Sequence, residues 1–279
     1  MKLSRENAQI FVPDEAVSPF ERVTHLGIGA HQDDLEILAY EAIEKCYSNK
    51  SKWFGGVTAT NGAGSSRTGA YANYSDAEMA AERIREQNKA AYVGDYAFQA
   101  QLDFPSNILK DPSDQSCIND LVQIIEASKP EYVYMHNLAD KHDTHIALAT
   151  KCIAALRKST HKPNKIYGVE VWRDLDWMND EDKEILAADK RPNLAQTLIG
   201  LFDSQITGGK RYDLAIQGRR IANATFYASH ESDDTEGMSY AMDLTPLIND
   251  ESINIVDYTV SYIESFKNDV TNRINKFLE

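Results

Sequence analysis

The chain has 279 residues, and 29 lysines and arginines stand against 43 aspartates and glutamates, a formal net charge of −14. That shortage of cations argues against a nucleic-acid protein, whose affinity comes largely from Lys and Arg neutralising phosphates. With no run of about 18 apolar residues the sequence predicts no membrane-spanning helix, and three scattered cysteines, Cys46, Cys117 and Cys152, exclude a disulfide framework or a cysteine-based zinc site.

Residues 1–22 read as a polar, irregular lead-in without the apolar core of a signal peptide. A short apolar strand is predicted over 23–29. Over 35–47 a helix is predicted, because Leu35, Leu38, Ala39, Ala42, Ile43 and Cys46 recur at helical spacing. A strand over 53–60 leads into a loop, Asn61 to Gly69, whose glycines and small polar residues break both periods. Next come a helix over 76–93 ended by Gly94, a strand over 97–102, and a helix over 114–128 stopped by Lys129-Pro130. A strand over 132–136, a helix over 143–156 and a strand over 165–172 complete the alternation.

Strand–helix alternation predicts an α/β fold with a mostly parallel sheet covered by helices on both faces. Its polar chemistry is expected at the edge reached after residues 29, 60 and 136. The expected organisation is a single domain: the lead-in 1–22, a core over about 23–175, and a mainly helical part over about 176–279, in which Gly208-Gly209 separates two helices. The last helix places Val260, Ile263, Phe266, Val270, Ile274 and Phe277 three and four apart, which predicts a packed surface helix rather than a membrane or partner helix.

Two segments follow predicted strand ends and precede helices: Ala30-His-Gln-Asp-Asp-Leu-Glu36 and His136-Asn-Leu-Ala-Asp-Lys-His-Asp-Thr-His145. His31 and Asp34 are three apart, and so are His142 and His145, so each pair can reach one ion. Zinc accepts imidazole nitrogen and carboxylate oxygen, and a catalytic zinc typically takes three protein ligands. Acidic doublets such as Asp33-Asp34 also simply cap helices. Spacing alone leaves both readings open.

Together the segments resemble a known family. His31-Gln-Asp-Asp-Leu-Glu36 resembles the AHPDDE signature of the PIG-L/LmbE-like zinc-dependent de-N-acetylases. Asp140-Lys-His-Asp-Thr-His145 resembles its DxHxDH signature, with His136 in the place of an upstream histidine. Between them, Arg83-Ile-Arg-Glu-Gln-Asn-Lys-Ala-Ala-Tyr-Val-Gly94 resembles the family's RxxE…AA..LG helix. Gln32 stands where the family has proline, and Thr144 where it has an acid.

The resemblance implies a Rossmann-like fold and hydrolysis of an acetamido group, usually on N-acetylglucosamine. It implies His31, Asp34 and His145 as ligands of Zn2+, with Fe2+, Ni2+ or Co2+ chemically acceptable in its place. Asp33 would be the general base, and a cationic His142 would stabilise the oxyanion and protonate the leaving amine. Arg83 matches a substrate-contacting arginine, with Arg67 and Arg85 as nearby candidates. Glu36 and Asp140 are read as supporting acids, Asp140 fixing the tautomer of His142 or His145.

The remaining expectations are modest. Tyr71, Tyr74, Trp172 and Trp177 are candidates for sugar stacking or for packing. Asp203-Ser-Gln205 is similar to a Ser-Gln pair of some relatives and receives no role. His25 reads as structural, His161 as a surface residue, and His230 as a solvated loop residue in the stretch Ser229 to Asp234. The leading function is a zinc-dependent de-N-acetylase acting on a small N-acetylated sugar or its conjugate, in the cytoplasm. Hydrolysis of another amide or an ester, and non-catalytic zinc and sugar binding, are the alternatives. A homo-oligomer is compatible with apolar surface on the C-terminal helices.

Overall fold

The computed structural model describes residues 1–228 and 230–278. Its elements in chain order are β1 (Gln9–Phe11), β2 (His25–Gly29), α1 (Asp34–Leu38), α2 (Tyr40–Cys46), β3 (Phe54–Thr60), α3 (Asp76–Val93), β4 (Phe98–Phe104), α4 (Ser106–Leu109), α5 (Ser116–Ser128), β5 (Tyr132–His136), α6 (Asp143–Lys158), β6 (Lys165–Val169), β7 (Glu184–Ala187), α7 (Pro192–Gly200), α8 (Asp203–Ile206), α9 (Tyr212–Ala224), β8 (Met238–Asp243), α10 (Thr245–Asn249) and α11 (Ile255–Lys276).

Among the described residues the sheet has eight strands in the order β1-β4-β3-β2-β5-β6-β8-β7. The five central strands are parallel, while β1, β8 and β7 join antiparallel at the two sides. Strands β2 and β3 are buried along their whole length, as apolar and small residues covered on both faces must be. One core layer packs α5 and α6 against the sheet, and the other packs α1, α2 and α7 on the opposite side. No helix among the described residues is long and apolar enough to cross a membrane.

Strand β2 pairs with β3 on one side and with β5 on the other, in register Ile28↔Val57 and Ile28↔Met135. From β2 the chain order therefore runs outward in both directions, and the crevice beyond the C-terminal ends of β2 and β5 is a topological switch point. Parallel α/β sheets place their ligands at such points. Both signature loops open there.

Several boundaries differ from the sequence reading. The single helix predicted over 35–47 is two, because Ala39 leaves helical geometry (φ −119°, ψ 19°). The lead-in contains β1, which pairs Gln9–Phe11 with the edge of β4. The region after 176 is not only helical: β7 and β8, although separated in the chain by α7, α8 and α9, pair antiparallel and extend the sheet beyond β6. Their short, mixed sequences, EILA and MSYAMD, carry little period-2 signal. Gly208-Gly209 does separate α8 from α9.

The reading of α11 also needs correction. Its packing face is formed by Ile255, Tyr258 and Tyr262, which sit on the core. Of the predicted stripe only Phe266 is half-buried; Val260, Ile263, Val270, Ile274 and Phe277 are exposed. The helix is apolar on two faces, and helical spacing alone cannot say which one the body covers.

Just after β6, the Glu170 carboxylate accepts hydrogen bonds from the Leu175 backbone N–H (2.8 Å) and Trp177 Nε1 (3.2 Å). Burial pushes its pKa up to about 7. A carboxyl whose folded value is raised contributes most at low pH and loses that contribution as pH climbs toward 7. Glu170→Gln, which keeps an acceptor but cannot ionise, should therefore raise the melting temperature by a few degrees at pH ~8 and change it little at pH ~5. Thermal melts of the two proteins at both pH values check this.

Candidate metal centre and active-site cleft

The loop after β2 turns into α1 through Asp33, a non-glycine residue at φ 99°. Left-handed backbone of this kind costs roughly 1–3 kcal/mol and persists only where neighbours impose it. Here they do: the Asp33 N–H donates to Gln87 Oε1 (3.2 Å), and the Gln32 carbonyl accepts from Arg83. Gln32, in the family's proline position, is buried and donates through Nε2 to the Thr60 carbonyl (3.0 Å), so it ties this turn to the end of β3.

Gly29 lets α1 sit tightly on the strand end, since a Cβ there would lie 2.9 Å from Asp34 Cβ. Gly29→Ala should push Asp34 out of place and weaken metal retention about 10-fold or more, measured as bound metal per chain after dialysis.

Three donor atoms meet beneath this turn. Asp34 Oδ2 lies 3.3 Å from His31 Nδ1 and 3.5 Å from His145 Nε2, and the two imidazole nitrogens are 3.2 Å apart. A tetrahedral zinc with bonds of about 2.0–2.1 Å holds neighbouring donors about 3.3 Å apart. The triangle fits that requirement, and two imidazoles with one carboxylate suit zinc, iron, nickel or cobalt. Asp34 also accepts the His31 N–H through Oδ2 (2.6 Å), which fixes its rotamer. Although burial opposes its ionisation, the neighbouring His145 and His136 imidazoles hold it well below the usual carboxylate range.

A second donor grouping, His136, Asp140 and His145, lies behind the first. It is less able to take an ion. His136 Nε2 already accepts the Ala30 N–H (2.9 Å), and the ring, fully buried, does not border the cleft that His31, Asp34 and His145 line. Burial lowers the His136 pKa to about 4, so the ring is neutral. Asp140 faces His145 Nδ1 at 3.2 Å and accepts from the His142 and Val171 N–H groups (3.0 and 3.1 Å). The Asp140 carboxylate thus addresses the ring of His145 and only the backbone of His142. A proton on His145 Nδ1 leaves its Nε2 lone pair for the cluster.

His142 caps α6, its Nδ1 accepting from the Thr144 N–H (3.2 Å). Burial and the neighbouring His145 and His31 lower its pKa. That direction works against the cationic form expected from sequence, and a neutral ring whose Nδ1 accepts from Thr144 carries its proton on Nε2. Asp33 is buried beside Arg83, its Oδ2 3.2 Å from the guanidinium, and burial pushes its pKa up to about 6. A cation held by the adjacent cluster would lower it again.

The cleft holds about 640 Å³ and is lined by His31, Asp33, Asp34, Arg83, His142 and His145 together with residues that the sequence reading left without a role. Among these are Lys110, Lys141 and Lys210, Gln205 of α8, and Tyr212. Gly62, Gly64, Ser65 and Ser66 of the glycine-rich loop border it, as does Trp172, whose ring lies 4.6 Å from that of Tyr212. Gln205 was within reach of sequence reasoning, because its neighbour Ser204 belongs to the noted Ser-Gln pair. Ser204 donates through both N–H and Oγ (2.7 Å each) to Glu86, which in turn lies 3.7 Å from Arg83.

Other predicted residues fall elsewhere. Arg67 is held by the Ala63 carbonyl (2.6 Å) and Asp76 (2.5 Å) and is not among the cleft's lining residues. Arg85 pairs with Glu82 at an exposed position. Glu36 points away from the cluster and accepts from Tyr96 OH (2.7 Å) and Gln87 Nε2 (2.8 Å); burial pushes it up to about 7. Gln87 therefore anchors both Asp33 and Glu36, a positioning role unassigned from sequence. Tyr71 bonds Asp203 (2.5 Å), and Trp177 packs on the core. His25 is buried in β2 beside Thr24 Oγ1 (2.8 Å), and His230 is exposed; Ser229, which opens its stretch, lies outside the described residues. His161 is half-buried, its Nε2 on the Pro130 carbonyl (2.8 Å), rather than a plain surface residue.

A family model described as "PIG-L: GlcNAc-PI de-N-acetylase" matches residues 26–156, the stretch from β2 into α6 that holds both loops. This segment belongs to the PIG-L family. Beyond the PIG-L segment, solved structures extend the likeness in fold over most of the chain. The N,N'-diacetylchitobiose deacetylase of Pyrococcus horikoshii is 15% identical with a TM-score of 0.66, covering 88% of this chain and 93% of that one. A conserved protein of Thermus thermophilus is 16% identical with a TM-score of 0.63, covering 83% and 99%. GalB, the 4-carboxy-2-hydroxymuconate hydratase of Pseudomonas putida, is 16% identical with a TM-score of 0.61, covering 80% and 96%. No curated protein matches the sequence.

Proposed function

We propose that the protein is a metal-dependent hydrolase that removes the N-acetyl group from an N-acetylated amino sugar of the N-acetylglucosamine type, or from its conjugate. The observation that carries this reading is the triangle of His31, Asp34 and His145 at a cleft that Asp33 also lines, within the PIG-L segment. A divalent ion such as Zn2+, when bound, supplies Lewis-acid charge and makes water acidic enough to deprotonate near neutral pH.

The chain's own groups then divide the work. Asp33, ionised and oriented by Arg83 and Gln87, accepts a proton from the attacking water. The Nε2–H of His142 donates to the acetamide oxygen as negative charge develops, an effect often worth about 3 kcal/mol. The C–N bond breaks as the amine takes the proton that Asp33 accepted from water, giving a free amine and acetic acid, which leaves as acetate. Arg83 is engaged by Gln32, Asp33 and Glu86, which supports a role in holding the base more than in gripping substrate. Arg67 has no path to the cleft as it stands. Trp172, Tyr212 and the loop 62–66 are the surfaces offered to a sugar ring.

Fold alone does not select this chemistry, since a hydratase shares it. The test is acetate and amine release from N-acetylglucosamine, its glycosides and N,N'-diacetylchitobiose, each with and without chelator. Release that chelation abolishes and Zn2+ restores supports the reading. Hydrolysis of simple esters without acetamide cleavage would replace it with the alternative bond, and retained metal and sugar binding without turnover would make the protein a binding module. Cys46, Cys117 and Cys152 are free and buried, which supports a reducing compartment such as the cytoplasm.

A further inference from the structure

Helix α11 has 22 residues, a rod of about 33 Å. Its inner face is fixed to the body: Tyr258 OH donates to the Asp243 carbonyl (2.7 Å), Asn179 Nδ2 donates to Ser265 Oγ (3.0 Å), and Thr259 is buried. The outer face carries Val256, Val260, Ile263, Val270, Ile274 and Phe277, which are between 37% and 81% exposed. Steps of four and three alternate without a break along this row once Lys267 is included as the seventh position. That is the repeat of about 3.5 residues of a two-helix seam, and not the wider stripe of a helix lying on a globular core.

A second observation concerns the end of the helix. Residues 271–278 are exposed on every side, so the last two turns run beyond the body of their own chain. Short helices without tertiary packing are marginal in water, and this one ends in the apolar group Val270, Ile274, Phe277 and Leu278.

We propose that α11 is a homodimerisation helix that pairs antiparallel with α11 of a second copy of this chain. Charge selects the occupant and its direction. The first half of the helix carries Asp257 and Glu264, and the second half carries Lys267, Arg273 and Lys276 against Asp269 alone. Antiparallel pairing sets the acidic first half of one copy alongside the basic second half of the other and aligns the helix dipoles favourably. Parallel pairing would set like charges together. In the antiparallel register Val260 faces Ile274, Ile263 faces Val270, and Val256 faces Phe277. Lys267 meets its own counterpart at the centre, a polar break of the kind that fixes register at a cost in affinity.

Sedimentation of the full chain across a wide concentration range tests this. The wild type should show a monomer–dimer equilibrium. Val270→Asp/Ile274→Asp should be monomeric at every concentration, with the body of the chain still folded by near-ultraviolet circular dichroism. Lys267→Leu should tighten the dimer on the order of tenfold. Under mild oxidation Val260→Cys/Ile274→Cys should crosslink into a covalent dimer while either single variant does not; the three native cysteines are buried and do not compete. A wild type that stays monomeric at every concentration, or a dimer that survives the double aspartate variant, would overturn the proposal. Crosslinking by Val260→Cys alone would overturn the antiparallel arrangement.

Discussion

Asp34→Asn should lose metal affinity by at least about 100-fold and, with it, nearly all turnover. The substitution is isosteric and keeps an oxygen at the position that accepts the His31 N–H (2.6 Å), so the start of α1 should survive. What disappears is the only anionic donor of the triangle, which lies within 3.2–3.5 Å of three imidazole nitrogens, those of His31, His136 and His145. Elemental analysis of the purified variant should show substoichiometric metal, and high added Zn2+ should restore only part of the activity. Full metal content with full activity would remove Asp34 from the ligand set.

Asp33→Ala should behave in the opposite way toward the ion. Asp33 is absent from the donor triangle, so metal content should equal that of the wild type, while kcat falls by roughly 10²–10⁴, the range for loss of a general base. The Michaelis constant should change little, because the carboxylate is assigned to proton transfer rather than to holding substrate. Removal of an acid from left-handed backbone at φ 99° and from beside Arg83 also alters the fold locally. Asp33→Asn therefore serves as the companion variant: similar size, the same hydrogen-bonding reach, no basicity. A near-wild-type kcat in both would assign the base elsewhere.

The parallel core was legible because its strands are short apolar runs separated by periodic helices, and α3 and β5 fall where the pattern put them, Asp76–Val93 and Tyr132–His136. The convergence of His31 and Asp34 with His145 follows from topology: β2 and β5 are neighbours at the switch point, so loops more than one hundred residues apart open side by side. The features that were illegible share a physical cause. The protonation of His142 depends on burial among other imidazoles, which spacing does not encode. Gln87 acts through an amide reaching two partners at the start of α1, and although it follows the Arg83-to-Glu86 motif, that motif assigns it no contact. Strands β7 and β8 are stabilised by pairing with each other and with β6 rather than by any pattern of their own.

Arg220 of α9 is buried, and its guanidinium donates to the carbonyls of Glu36 (2.8 Å) and Ile37 (3.3 Å) at the end of α1 while lying over the Tyr40 ring. The short helix that begins with Asp34 is thus clamped at its far end by a residue 184 positions later in the chain. Trimming the protein to its family-matching stretch would leave those carbonyls without their donor and, by removing β6, bare the flank of β5. The excised fragment would be no minimal enzyme: the late third of the polypeptide is the scaffolding on which the early third's reactive turn is braced.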